Sequence, residues 1–151
     1  MEIFSNQNLE IFLKLTLALV LGLVVGTERS IARKAAGMRT YGLVCMGSSL
    51  FIIISEIITS AYIGIATVDP LRVAAQIITA IGFLGAGVIF FRDSESKVEG
   101  ITTAAGLWIT AGIGMAVGFG LYAIAIFITV LTFIVFTILW FVEESIRRKI
   151  Q

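Results

Sequence analysis

A chain of 151 residues that is 58% hydrophobic and only 14% charged, with a mean hydropathy of +1.04, reads as an integral membrane protein rather than a soluble domain. A net charge of +1 with no basic run and no aromatic platform excludes a polyanion partner, nucleic acid included. Histidine is absent, which removes imidazole metal sites and His-based triads, and the single cysteine, Cys45, lies in an apolar run where a small buried hydrophobe is expected.

Residues 1 to 8 hold no Lys or Arg, so the basic start of a signal peptide is missing. The first apolar run, 9–27, is long enough to span a bilayer and carries Glu10 and Lys14, four apart on one helix face, which predicts a local ion pair snorkelling outward. It ends in Gly26, Thr27, Glu28 and Arg29, and a basic link with Arg33, Lys34, Gly37 and Arg39 follows. Span 2 covers 41–62, with Glu56 in its second half, where a carboxyl must be paired, protonated or close to the interface. Asp69 and Pro70 suit an N-cap and a first helical position and so start span 3, 73–91, with Arg72 and Gln76 on its first turns. A charged link then holds Arg92, Asp93, Glu95, Lys97 and Glu99 before span 4, 101–119. Residues 101 to 142 are free of charge, and one straight helix of that length would reach roughly 63 Å, about twice the bilayer core. The chain must turn, and Gly118 to Gly120 is the best place, giving span 5 over 121–142 with Trp140 and Phe141 suited to an interface belt.

The fold class is therefore all-α, a single polytopic domain with five transmembrane helices. Nine of the 11 Lys and Arg residues (Arg29, Arg33, Lys34, Arg39, Arg92, Lys97, Arg147, Arg148, Lys149) fall on one side, which places the N-terminus outside and the C-terminus in the cytoplasm. In span 4, Thr102, Gly106, Thr110, Gly114 and Gly118 recur every four residues as one smooth face. Helices in lipid associate through such close packing, so span 4 is expected to be central. Gly82, Gly85 and Gly87 extend the packing set into span 3, where Gly82 and Ala86 are the expected meeting point of the two arms. Trp108, in the middle of span 4, either packs between helices or lines a site, and packing is the expectation.

GFLGAG (82–87) matches neither GxGxxG nor GxxxxGK[ST], so a P-loop ATPase is excluded and helix packing explains it better. No nucleophile and base pair is visible, and no enzymatic activity is expected. Asp93 and Glu95, with Glu28, are the candidate metal ligands, hard oxygens of the kind Mg2+ accepts. Arg92 and Lys97 interleave with the two link acids, which favours a solvated loop there. A polar set remains: Glu28, Arg29, Arg39, Thr40, Arg72, Gln76, Thr102 and Thr103. Polar groups in a bilayer must find partners, so this set is either a structural clasp or a binding or gating site.

GTERS (26–30), AGMRTYGLV (36–44), DPLRVAAQIITAIGFLGAGVI (69–89) and VEGITTAAGLWITAGIG (98–114) together resemble the hydrophobic domain of the MgtC/SapB family. Tyr41 stands where that family often has histidine, and Ala80 where it often has glycine. The resemblance implies a bacterial inner-membrane protein linked to growth at low magnesium and, in pathogens, to intracellular survival. Ending at IRRKIQ, the chain is expected to lack the soluble C-terminal domain of some relatives and to act through its membrane domain, as a homo-oligomer. Two functions are consistent with this: a regulator that binds other membrane proteins, the proton-translocating ATP synthase among them, and a small oligomeric transporter of Mg2+ or another cation. No cofactor is expected apart from Mg2+ itself.

Overall fold

The computed structural model describes residues 6–62, 69, 71–92 and 97–150. They form helices α1 (Asn6–Ile31), α2 (Met38–Ala61), α3 (Leu71–Gly87), α4 (Ile101–Gly118) and α5 (Tyr122–Ile150), with a short ribbon of β1 (Phe90–Arg92) and β2 (Lys97–Glu99) between α3 and α4. Among the described residues α1, α2, α4 and the Tyr122–Phe141 part of α5 are long and apolar enough to cross a membrane. The protein is thus an all-helical, multi-pass bundle with one small ribbon.

The third span differs from expectation. Its helix stops at Gly87 after 17 residues, about 25 Å of rise against roughly 30 Å of hydrocarbon. Gly85 and Gly87 weaken the helix, and the β-branched and aromatic run Val88 to Phe91 favours extended backbone. The chain instead pairs antiparallel, Phe90 with Glu99, Phe91 with Val98 and Arg92 with Lys97. Gly100 (φ 93°) closes the ribbon, and a Cβ there would collide with the Val88 carbonyl. Hydropathy counted these residues as span because they are as apolar as a helix would be.

The other helix ends follow local rules. At the end of α1 the Lys34 amide bonds to the Arg29 carbonyl (2.9 Å) and the Arg33 amide to that of Ser30 (3.1 Å), with Arg33 itself left-handed at φ 52°. The same pair of bonds ends α4, Leu121 to Ala116 (2.8 Å) and Gly120 to Val117 (3.0 Å), and Gly120 at φ 75° makes the turn expected there. Asp69 accepts the Leu71 amide on Oδ1 at 2.9 Å, while Pro70 lies outside the described residues.

α4 touches each of the other four helices. On α2 it packs at backbone range: a Cβ on Gly114 would strike the Cys45 carbonyl, one on Gly118 would lie 2.7 Å from Ile52 Cβ, and one on Gly106 would strike the Tyr41 hydroxyl. α1 meets the same helix through Gly22 and Gly26, whose added Cβ atoms would lie 2.7 Å from Cys45 Cβ and from Met38 Cα. Cys45 is thereby enclosed between α1 and α4 and fully buried.

Of the small residues expected to pack along α3, only Gly85 does so, beside buried Ile77 and Ile81, and Ala86, expected at the meeting point, is exposed. Gly85 faces Ala104 Cβ at 3.5 Å, whereas Gly82 and Gly87 face open space, because a helix buries only about one residue in each turn against a single neighbour. Trp108 is 52% exposed, outside the buried seam, on the flank of α4 between α3 and α5.

Gly114→Val should therefore lower stability by about 2 kcal/mol through forced separation of α4 from α2, read as a drop in the thermal midpoint in detergent. In the same assay Gly82→Ala should hold or raise the midpoint, since it adds helix propensity without a contact.

Candidate functional site

Antiparallel packing of α1 on α2 and parallel packing of α4 on α2 bring the end of α1, the starts of α2 and α4 and the second half of α5 together at one end of the bundle. Here Arg29 is buried, with only 3% of its surface exposed. A cation so placed needs compensation from every side. Its Nε donates to Glu28 Oε2, its Nη2 points at the Phe136 carbonyl at 3.5 Å, and its guanidinium carbon lies 3.8 Å from the centre of the Phe136 ring. The ring also takes the edge of Tyr41, with centroids 6.5 Å apart and planes at 82°. The Tyr41 hydroxyl donates to the Thr103 carbonyl at 3.2 Å, which ties α2 to the first turn of α4. Gly106 makes room for both rings, because a Cβ there would run into Tyr41 and Phe136 together.

Of the polar set, the structure brings together Glu28, Arg29 and Thr103. Arg39, Thr40 and Thr102 are at the same end but exposed. Arg39 and Thr40 lie on the first turn of α2 beside Ser30, whose Oγ accepts the Met38 amide at 2.8 Å. Arg72 and Gln76 belong elsewhere: both are exposed on α3, and Arg72 lines a cleft with Asp69, Ser55 and Thr59 towards the opposite end. The separation arises because α3 runs antiparallel to α4, so its first turns are remote from the Arg29 end. Glu56 is exposed on α2.

At that opposite end Lys14 pairs with exposed Glu10 at 3.2 Å, as its spacing predicts, yet it does not point outward. Its ammonium is mostly buried and donates to the Gly118 carbonyl at 3.3 Å. The last carbonyls of α4 carry the negative end of the helix dipole, which draws the cation inward.

Asp93 and Glu95 lie outside the described residues. Among the described residues no three of His, Cys, Asp and Glu come together as a metal-binding group, and Glu28 is engaged by Arg29. Sequence reasoning missed Tyr41 and Phe136 as partners of Arg29, and it missed the α1 seam, for which the Gly22-x3-Gly26 spacing was an available signal.

Removal of the buried cation should be costly. Arg29→Met is expected to destabilise by about 3 kcal/mol, because Glu28 is left unpaired and Phe136 loses its cation. Tyr41→Phe, which deletes one hydrogen bond and keeps the ring, should cost about 1 kcal/mol. Denaturant unfolding in mild detergent, followed by tryptophan fluorescence, separates the two.

Comparisons with known proteins identify the family. The model of the MgtC family matches residues 15–145. The chain is 40% identical over 131 residues to the Escherichia coli K12 protein named "Putative magnesium transporter YhiD", which covers 83% of this chain and 59% of that protein. It is 41% identical over 117 residues to protein SapB of Bacillus subtilis (75% and 49% covered) and 43% identical over 119 residues to protein MgtC of Salmonella typhimurium LT2 (79% and 48% covered). The chain thus spans about half to three-fifths of the length of these curated relatives. No solved structure matches it.

Proposed function

Because the chain belongs to the MgtC family, we propose that it is a bacterial inner-membrane protein of magnesium homeostasis that acts by docking onto other membrane proteins. The observation that carries this reading is the closed character of its interior. The seam of α1, α2 and α4 is packed at backbone range, and its buried cation is neutralised by Glu28 and Phe136. A cation path in one chain would need carboxylates or freed carbonyls lining a continuous space. The exposed polar residues Arg39, Thr40, Thr102 and Gln76 are instead available to a partner helix or to a second copy of the chain. The proton-translocating ATP synthase is the first partner to test. Alternation of the helices collects the basic residues near the Arg29 end, which favours that end as cytoplasmic.

Transport of Mg2+ is the second reading, favoured by the name of the YhiD relative. Under it, the path would run between copies.

Flux separates the two. Purified protein in liposomes should pass no Mg2+, while Arg39→Ala and Gln76→Ala should reduce growth at low Mg2+ to the level of a strain lacking the protein, with the thermal midpoint unchanged. Saturable uptake that Glu28→Ala abolishes would overturn the docking reading, and wild-type growth of both variants would remove these residues from it.

A further inference from the structure

Beside the Arg29 pair lies a lipid-side cleft of about 410 Å³ between the end of α1 and the second half of α5. Its walls are largely apolar, formed by Phe133, Trp140 and Phe141 on α5 and by Ile31 on α1. Four polar side chains line it: Glu28, Arg33, Thr137 and Thr27, the last with its hydroxyl returned to the Leu23 carbonyl at 2.7 Å. Thr137 is unlike its neighbours. Thr129 and Thr132 return their hydroxyls to the carbonyls four residues earlier, both at 2.8 Å, whereas the Thr137 hydroxyl is buried without a hydrogen-bond partner. Thr137 lines the cleft, and its hydroxyl, with no partner to give up, can turn by one rotamer to a ligand there.

The charges decide which ligand. Glu28 and Arg29 cancel, so Arg33 leaves the cleft with one net positive charge. The Arg29 contact uses Glu28 Oε2 and leaves Oε1 to accept from a hydroxyl. Arg33 is held at the rim by the left-handed turn that ends α1. A cleft that is aromatic and aliphatic along its length, basic at the membrane-interface end and equipped with one hydroxyl and one carboxylate oxygen matches a phospholipid with a monoanionic phosphate and a hydroxylated headgroup.

We propose that this cleft binds one phosphatidylglycerol molecule, its phosphate on Arg33 and Thr137, a glycerol hydroxyl on Glu28, and an acyl chain along Phe133 and Trp140 beside the headgroup. The site does not depend on whether the protein docks or transports. It also differs from a diffuse basic surface, since Lys34 is exposed next to Arg33 yet does not line the cleft.

Native mass spectrometry of the detergent-purified protein, titrated with phosphatidylglycerol, phosphatidylethanolamine and phosphatidylcholine, tests this. Phosphatidylglycerol should bind about fivefold more tightly than either zwitterionic lipid, the scale of one basic residue acting on an anionic headgroup. Arg33→Gly keeps the left-handed turn and removes the guanidinium, and it should erase that preference without lowering the lipid-free thermal midpoint. Thr137→Val should reduce the preference in part, and Lys34→Ala should leave it intact. Equal binding of the three lipids would overturn the proposal, as would an equal loss in Lys34→Ala and Arg33→Gly. Soluble glycerol 3-phosphate binding as tightly as the lipid would assign the cleft to a free phosphate ester and also overturn it.

Discussion

The contact on which the rest of this bundle depends is the approach of α4 to α2 through Gly106, Gly114 and Gly118. Lipid tails are as apolar as the helix surfaces, so burying a leucine between two helices gains little over leaving it in the bilayer. What can hold these helices together is density of contact, and glycine permits it by letting backbone meet backbone, as where Gly114 lies against the Cys45 carbonyl. α1 closes on the opposite side of Cys45 by the same device at Gly22 and Gly26. Three helices thus share one seam in which glycines let α4 and α1 close onto α2 around buried side chains such as Tyr41, Cys45 and Ile52. α3 and α5 are added at its flanks, which is why α3 presents Gly82 and Gly87 to open space.

A seam this narrow cannot hide an ion in water, and this determines how Arg29 is treated. Its charge is met by a carboxylate, a carbonyl and an aromatic face contributed by its own helix and by α5. Tyr41, packed against the same ring, carries the arrangement across to Thr103. Four helices are therefore joined by one polar cluster at the end where the basic links gather. The opposite end has a lighter counterpart, in which Lys14 closes the last turn of α4. Arg29 ties α1 to α5 and Lys14 ties α1 to α4, each as a local contact at one end of the bundle. The docking function proposed for the chain would use the outer faces of the bundle.

Much of this was legible in the sequence because two of its rules are local. Runs of apolar length identified α1, α2, α4 and α5, and the Gly118 to Gly120 segment identified the turn, since a charge-free stretch of that length exceeds the bilayer. The four-residue spacing in α4 marked the face that meets α2. The end of α3 was not legible: Val88 to Phe91 has the same hydropathy as helix or strand, and the pairing with Lys97 to Glu99 decides between them. Nor was the company of Arg29, because Phe136 is 107 residues away and its contact follows from the antiparallel packing of α5. Arg72 and Gln76 share only polarity with the cluster; their place at the start of span 3 already sets them toward the opposite side, and the direction of α3 puts them there.

The bundle depends on a close-packed seam, and Cys45, the single cysteine, sits at its centre. The most direct measurement is the rate at which charged methanethiosulfonate reagents modify Cys45 in proteoliposomes, applied from either side with and without Mg2+. The account predicts no modification until the protein is denatured. Labelling of the native protein, above all labelling that Mg2+ slows, would show water and cations in contact with the seam and would contradict it.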